Sequence, residues 1–360
     1  MASHQPKYRD IIDWLLAEIA AGKYSEGDQI PSEYQLMEQF AYSRQTVRRA
    51  LDELVKEHYL TRVKGSGTYV GQRYRKRNYN SIAVIVTYVD NYIFPKTIKG
   101  ISDVLSASGY SMSVYYTDDN ILKERENLEL LLNDNHIDGI IIEPAKSALH
   151  SPNQDLYDRL RDLKLPVLFI NAIYPNFSCP CIRIDDQKIG FDAANYLIQS
   201  GHRKIGGIFH LDDIQGHLRY AGFVEAMVKA NIPFDSGQIC WLDSTGYLKT
   251  DSVLPYFVQR LKSCSAVFCY NDFVATQFIN YCQKNKIRIP QDISVIGVDN
   301  ASFATGLEPG LTTFNHPQYY LGRQAANTIL NMVENMCAGK DHIFPSQLIV
   351  RDSVCRLLNE

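Results

Sequence analysis

Residues 31–54 read PSEYQLMEQFAYSRQTVRRALDEL, and this stretch decides the fold of the first part of the chain. Ser32 and Ser43 each stand at a predicted helix start, where a serine hydroxyl can accept a hydrogen bond from a free backbone N–H. Apolar residues follow both caps at helical spacing: Leu36, Met37 and Phe40 in the first helix, and Val47, Ala50, Leu51 and Leu54 in the second. The stretch therefore predicts two amphipathic helices joined by a tight turn, the second ending near residue 57.

The flanking sequence completes a small domain. Residues 8–21 have an apolar face at helical spacing and end at Gly22. Residues 60–70 predict two short strands around Lys64-Gly65-Ser66-Gly67. Three helices followed by a hairpin predict a winged helix-turn-helix over residues 1–70.

The last of these helices carries side chains suited to reading DNA bases. Arg44 and Thr46 stand on its first turn, and its outer face presents Gln45, Arg48, Arg49 and Asp52. Arginine matches the two acceptors of guanine, glutamine matches adenine, and threonine can meet a thymine methyl group or a phosphate. Gly65 lets the hairpin tip approach the minor groove, with Lys64 near a phosphate. A nucleotide-binding loop is rejected because this glycine-rich segment joins two strands and lacks the P-loop pattern.

Charge is divided unevenly along the chain. The net charge of the 360 residues is −3, but residues 43–77 carry +7 and residues 78–360 carry −6. A basic block joined to an acidic body favours a head that binds a polyanion, although such charge often only solvates a surface. The sequence shows neither a membrane span nor a signal peptide, so a cytoplasmic protein is expected. The eight cysteines fit no zinc spacing and are expected to be reduced, and neither a metal nor a cofactor is expected.

The head resembles the GntR-type winged helix throughout residues 6–70. The resemblance rests on Gly22-x-Tyr24-x-x-Gly27-Asp28-x-Ile30-Pro31-Ser32-Glu33, Ser43-Arg44-x-Thr46-Val47-Arg48 and Gly65-x-Gly67-Thr68-Tyr69-Val70. It implies operator contacts through Arg44, Gln45, Thr46, Arg48, Lys64 and Gly65, with Lys7, Ser32 and Tyr34 near phosphates. Tyr42 departs from the smaller aliphatic residue usual in the family, which should change local packing only.

Residues 81–360 predict a larger α/β module. Residues 71–80, GQRYRKRNYN, have no apolar period and read as a linker. Short apolar strands then alternate with helices, which predicts parallel sheets covered on both faces. The alternation restarts near residues 187–190, so two similar lobes with a cleft between them are expected. The fold class is thus α/β, a winged helix-turn-helix followed by a two-lobed module like the periplasmic binding proteins.

This module resembles the LacI/GalR-type effector domain over residues 81–360. The matching segments include Asp138-Gly139-Ile140-Ile141-Ile142, Gly201-His202-Arg203-Lys204-Ile205-Gly206, Arg219-Tyr220-Ala221-Gly222-Phe223 and Ile293-Ser294-Val295-Ile296-Gly297-Val298-Asp299. A GntR-type head on such a body is similar to the arabinose-responsive repressors of Gram-positive bacteria. The resemblance implies a small sugar effector, with L-arabinose expected first, and another pentose or a phosphosugar as the alternatives.

Polar side chains at strand ends are the candidate effector ligands, because such sheets bind ligands beyond the carboxyl ends of their strands. They are Glu143, Asn171, Asn271, Asp272 and Asp299. The resemblance adds Lys96, Arg219 and His316, and the aromatics Tyr92, Phe94, Tyr174 and Trp241 are candidates to cover the apolar face of a sugar. Simpler interpretations stay open: the asparagines and Asp272 as helix caps, Glu143 as a solvated loop residue and His316 as a hinge.

The sequence therefore predicts a repressor of carbohydrate-utilisation genes. A homodimer would place two heads on a palindromic double-stranded operator. Sugar binding is expected to release the DNA, although corepression is thermodynamically equivalent. A sugar-transport binding protein is disfavoured by the winged helix, and an enzyme is disfavoured because no catalytic motif is present.

Overall fold

The computed structural model describes residues 7–25, 27–56, 59–71, 79–89, 92–134, 136–175, 177–233, 235–335 and 337–357. They form two compact units that divide between residues 78 and 79. Most of the predicted linker, residues 72–78, lies outside the described residues. Tyr79 and Asn80 belong to the second unit: the Tyr79 N–H donates to Asp138 Oδ1 at 3.3 Å, and the Asn80 carbonyl accepts from the Ser111 N–H at 2.6 Å. No helix among the described residues is long and apolar enough to span a bilayer.

The first unit has the predicted winged helix-turn-helix fold. Its elements are α1 (Lys7–Ala20), α2 (Glu33–Phe40), α3 (Arg44–Lys56), β1 (Leu60–Val63) and β2 (Gly67–Val70). The two strands pair antiparallel, with Leu60 opposite Val70. The apolar stripes of the helices meet in one core, where Ile11, Leu15, Leu36, Val47 and Leu51 are buried. Helical periodicity therefore identified the packing face of each helix.

Both predicted serine caps are present. Ser32 Oγ accepts from the Gln35 N–H at 3.3 Å, while Gln35 Oε1 accepts from the Ser32 N–H at 2.8 Å, which completes a capping box. Ser43 Oγ accepts from the Thr46 N–H at 3.3 Å at the start of α3. These bonds stabilise the first turns of α2 and α3.

The second unit alternates strands and helices. Its first half contains β3 (Ser81–Val86), α4 (Phe94–Ala107), β4 (Ser111–Tyr116), α5 (Ile121–Asp134), β5 (Gly139–Ile142), α6 (Gln154–Asp162), β6 (Val167–Ile170) and β7 (Cys181–Ile184). There follow α7 (Asp186–Gln199), β8 (Ile205–His210), α8 (Ile214–Lys229), β9 (Ile239–Leu242), α9 (Ser244–Leu248), α10 (Thr250–Leu261), β10 (Ala266–Cys269), α11 (Asp272–Lys284) and β11 (Ser294–Asp299). The unit ends with β12 (Thr312–Asn315), α12 (Gln318–Asn335), β13 (His342–Phe344) and β14 (Leu348–Ile349).

Two six-stranded sheets define two lobes. The N-lobe sheet has the order β13-β7-β6-β5-β3-β4, and the C-lobe sheet has the order β14-β12-β11-β10-β8-β9. All pairs are parallel except β12 with β14. Strands such as β5 and β10 are buried at every residue, as expected for sheets covered on both faces.

The chain passes between the lobes three times, at residue 185, at residues 316–317 and between β13 and β14. The predicted restart near residues 187–190 falls just after the first crossing. The resemblance placed His316 in a late crossover, and the chain does return to the N-lobe there: α12 packs on α4, with Leu321, Ala325 and Ile329 in that core. Such a return depends on contacts between distant segments, which local periodicity does not report.

Two glycines let α7 and α8 cross at very short range. A Cβ on Gly190 would lie 2.0 Å from the Arg219 carbonyl oxygen, and one on Gly222 would lie 1.9 Å from the Gln187 carbonyl oxygen. Any larger residue at either position would push the helices apart. The crossing therefore fixes the position of Arg219 on α8.

Candidate effector cleft and DNA-reading surface

A cleft opens between the lobes at the carboxyl ends of both sheets, where ligands bind in this class of fold. It encloses about 790 Å³, including the solvent at its mouth. Predicted site residues in its lining are Tyr92, Phe94, Glu143, Arg219, Asn271, Asp299 and His316. The structure therefore brings together seven of the twelve candidate effector residues named from the sequence.

Arg219 is a buried charged group of the C-lobe wall, and its side chain is only 2% exposed. Two of its nitrogens lie 2.8 Å from Asp186 Oδ1, and a third donates to the Tyr270 carbonyl at 2.5 Å. Its guanidinium also lies over the Tyr270 ring, 4.9 Å from the centroid. A guanidinium has five N–H donors, so donors remain for a ligand in the cleft.

Asp299 ends β11 with its carboxyl group in the cleft. Its φ of 112° and the φ of 49° at Asn300 are unusual for residues with a side chain, and such strain is typical of ligand sites. The Tyr92 hydroxyl, from the N-lobe, donates to Asp299 Oδ2 and accepts from the Asp272 N–H at 3.2 Å. Tyr92 therefore links the lobes by its hydroxyl, in addition to offering its ring to a ligand.

Glu143 follows β5 and is buried, not a solvated loop residue. Its Oε2 accepts from the Thr87 hydroxyl at 2.6 Å, and its Oε1 accepts from Asn171 Nδ2 at 2.7 Å. Burial raises the pKa of Glu143 to about 7, even though these hydrogen bonds favour the charged form. The cleft thus holds a carboxyl group that ionises near neutral pH.

Sugar affinity is expected to rise with pH because of Glu143. An ionised carboxylate is the stronger acceptor for a sugar hydroxyl, and its population grows as the pH passes 7. Between about pH 6 and 8 the affinity should increase up to about tenfold, the change in the ionised fraction. Calorimetric titration measures this, with Glu143→Gln as the control that should show a flatter profile. Identical profiles for both proteins would contradict the assignment.

His316 lies in the second lobe crossing and is 3% exposed. Neither ring nitrogen has a hydrogen-bond partner among the described residues, although the ring lines the cleft. Burial lowers its pKa to about 4, so the ring is neutral at pH 7 and offers one donor and one acceptor. A buried polar ring without partners fits a role in binding a ligand hydroxyl rather than a hinge hydrogen bond.

A second set of polar residues was missed by the sequence analysis. Lys146 of the N-lobe pairs with Asp212 of the C-lobe, and the Ser147 hydroxyl donates to Asp213 Oδ1 at 2.7 Å. The Ser244 hydroxyl donates to Asp119 Oδ2 in the same region. Glu143 was predicted because it follows a strand, and the same argument would have identified Asp119 and Asp213, which follow β4 and β8.

Several predicted residues lie outside the cleft lining. Lys96 is exposed on α4, because only the first residues of that helix reach the cleft. Asn171 and Asp272 sit behind it: Asn171 binds Glu143, and Asp272 accepts from the Thr313 hydroxyl at 2.6 Å. Tyr174 is buried in the N-lobe core, and Trp241 packs against Phe209. Asn271 is both a lining residue and the cap of α11, since its Oδ1 accepts from the Val274 N–H at 3.0 Å.

Two of the predicted DNA-reading residues, Arg44 and Arg48, meet at one carboxylate on the exposed side of the first unit. Arg44 and Arg48 have side chains 70% and 56% exposed, and their Nε atoms lie 3.2 and 3.3 Å from the two oxygens of Glu33. Arg62 also approaches Glu33, at 3.8 Å, and pairs with Asp52 at 2.5 Å. Exposed pairs like these are weak, so Glu33 holds these arginine side chains only loosely.

The remaining predicted DNA contacts differ in exposure. Lys7, Ser32, Tyr34, Gln45 and Lys64 are exposed, Thr46 is half-buried, and the hydroxyls of Ser32 and Thr46 take part in the helix caps. Gly65 has a φ of 80°, as expected for a glycine at the wing tip. The unusual Tyr42 stacks on Phe40 and donates to Asp10 at 2.6 Å, so it adds local packing.

Among the described residues, no group of three or more His, Cys, Asp or Glu side chains has the geometry of a metal site. All eight cysteines are free thiols in the structure. Burial raises the pKa of Cys181 and of Cys282 to about 12, which makes these thiols unreactive.

Comparison with known proteins agrees with both units. Residues 7–70 match the gntR family of bacterial regulatory proteins, and residues 194–354 match the periplasmic binding protein-like domain. The arabinose metabolism transcriptional repressor of Geobacillus stearothermophilus is 36% identical over 97% of both chains. The repressor of the same name from Halalkalibacterium halodurans is 31% identical, over 99% of this chain and 98% of its own.

The fold of the second unit also matches solved regulators. The regulator CcpA of Lactococcus lactis superposes with a TM-score of 0.68 at 23% identity, over 76% of this chain and 98% of that one. At that identity the match concerns the fold alone. The full-length similarity to the two repressors is much stronger, and the chain therefore belongs to the family of bacterial transcriptional repressors that join a GntR-type DNA-binding domain to a LacI-type effector domain.

Proposed function

We propose that this repressor is released from its operator by L-arabinose bound between the lobes. The observation that carries the proposal is the cleft itself, whose lining combines Glu143, Asp299 and Arg219 with the ring of His316, which has no hydrogen-bond partner among the described residues. Such groups bind several hydroxyls at once and penalise a ligand that lacks one of them. The two full-length relatives are named for arabinose metabolism, which supports this sugar as the first candidate.

The charge of the cleft favours a neutral sugar over a phosphosugar. Four carboxyl groups line it, those of Asp119, Glu143, Asp213 and Asp299. Its two lysine or arginine side chains among the described lining residues are already paired, Lys146 with Asp212 and Arg219 with Asp186. A phosphate dianion would meet uncompensated negative charge, which costs more than the hydrogen bonds return.

We infer further that the protein acts as a homodimer in the cytoplasm. Two copies of α3 would then meet a palindromic operator whose half-sites are one or more helical turns apart. For sugar to change DNA occupancy from nearly complete to nearly absent, it must favour the released state by about 5.5 kcal/mol. No chemical step is assigned to the cleft, so incubation with the sugar should return it unchanged.

The test is a titration of operator affinity against a panel of sugars. L-Arabinose is expected to weaken operator binding, other pentoses to act only at higher concentration, and arabinose 5-phosphate to have no effect. Operator duplexes are selected beforehand from a random pool with the full-length protein. Tighter DNA binding in the presence of sugar would indicate corepression, and an operator affinity unaffected by every sugar would refute the proposal.

A further inference from the structure

A carboxyl group sealed inside the N-lobe lies directly behind the effector cleft. Glu124 on α5 has no exposed surface. Its Oε2 accepts from the Ala145 N–H at 2.8 Å and lies 2.8 Å from the Tyr174 hydroxyl. Its Oε1 lies 3.1 Å from both Asn153 Nδ2 and the Tyr157 hydroxyl. Burial raises the pKa of Glu124, so an acidic group at this position costs stability unless its donors stay in place.

These contacts converge on Ala145. Its N–H donates to Glu124, and its carbonyl oxygen lies 2.7 Å from the Tyr174 hydroxyl, which can donate its proton to either acceptor. The backbone of this residue is thus held from both sides by buried groups. It stands between Glu143, which faces the cleft, and Lys146, which joins the lobes.

We infer that Glu124 is a positioning residue for effector binding. Through its hydrogen bond to Ala145, it fixes the backbone position of residues 143–147. The inference rests on the proposed function, because it assumes that this segment holds the sugar. Glu124 itself does not line the cleft, so its effect must pass through the backbone. A residue that only stabilised the N-lobe would change the unfolding free energy without changing the affinity of the folded protein for sugar.

The decisive comparison is between two substitutions of Glu124 in the full-length protein. Glu124→Met keeps the length of the side chain but removes both acceptors, which leaves the Ala145 N–H unpaired. Affinity for L-arabinose, measured by calorimetry, should fall about 5- to 150-fold, the usual range when one site of a protein affects binding at another. Glu124→Gln keeps one acceptor oxygen for Ala145 and should retain most of the affinity.

Two further variants guard against loss of folding. Tyr174→Phe removes the donor to the Ala145 carbonyl but leaves Glu124 intact, and it should weaken sugar binding in the same direction. Asp138→Leu is the matched control for Glu124→Met, because Asp138 is also buried in the N-lobe, accepts from the Ser81 N–H at 3.0 Å, and loses both acceptor oxygens in this variant. It lies at the opposite end of the sheet, so its loss should lower stability and leave sugar affinity unchanged.

Amide hydrogen exchange gives a readout that needs no ligand. Exchange in residues 145–148 should be faster in Glu124→Met and Tyr174→Phe than in the wild type, while α5 keeps its wild-type rates. Unchanged exchange in this segment, or unchanged sugar affinity in a folded Glu124→Met protein, would overturn the inference. A wild type that binds no sugar would refute the proposed function instead, and the exchange rates would still decide whether Glu124 positions the segment.

Discussion

Replacing Arg219 with methionine is expected to abolish the response to sugar and to destabilise the second unit. Arg219 and Asp186 are 2% and 1% exposed, so the substitution strands a buried carboxylate. Removing one partner of a buried ion pair costs about 3–5 kcal/mol. Urea unfolding of the variant measures that loss, and calorimetry measures sugar binding in the fraction that remains folded.

The pH dependence of this loss has a definite sign. Burial raises the pKa of Asp186 to about 6 even with Arg219 present, and removing the guanidinium raises it further. An acid whose pKa is higher in the folded state than in the unfolded state destabilises the fold increasingly as the pH rises above its unfolded value. The variant should therefore lose more stability at pH 8 than at pH 5.

A double variant separates stability from binding. Arg219→Met with Asp186→Asn removes the stranded charge, so it should regain much of the lost stability. It still lacks the guanidinium in the cleft and should therefore still not bind sugar. Recovery of sugar binding in the double variant would mean that Arg219 only supports the fold.

The fold of the first unit was predictable almost residue by residue, because the sequence patterns that determine it are local. Periodicity placed the apolar stripes, and serine hydroxyls placed the starts of α2 and α3 within one residue. In the second unit, buried runs such as Ile140–Ile142 were found, but β7, β9, β12, β13 and β14 were not. These strands have only two to four residues each, and pairing with distant strands decides whether they form.

The sequence predicted cleft residues that directly follow a strand, but it did not predict the direction of side chains on loops and helices. Glu143, Asn271 and Asp299 follow buried strands, so the sheet delivers them to the cleft. Lys96 and Tyr174 were assigned by resemblance and aromatic character, and neither lines the cleft. Which way a loop or helix side chain points depends on packing against other segments, as the burial of Tyr174 against Glu124 illustrates.

Replacing Arg44 with alanine is expected to weaken operator binding and to relax sequence preference at one position of each half-site. A bidentate contact between arginine and guanine contributes about 1–3 kcal/mol of discrimination, which corresponds to about 5- to 150-fold in affinity. Folding should be unaffected, because the pair of Arg44 with Glu33 is exposed and Glu33 keeps Arg48 nearby. Binding to the selected operator and to its single-base variants measures both effects.

Two matched variants distinguish base reading from general charge. Arg49 lies on the same helix, but its guanidinium stacks on the Tyr8 ring, 4.3 Å from the centroid, so Arg49→Ala removes one charge without a base contact. Lys64→Ala removes a charge from the wing and should weaken operator and random duplex alike, with a salt dependence reduced by about one unit of slope. If Arg44→Ala behaved like Lys64→Ala, with equal losses on every duplex, then Arg44 would contact phosphate. The sequence preference would in that case have to come from Gln45, Arg48 or the shape of the DNA.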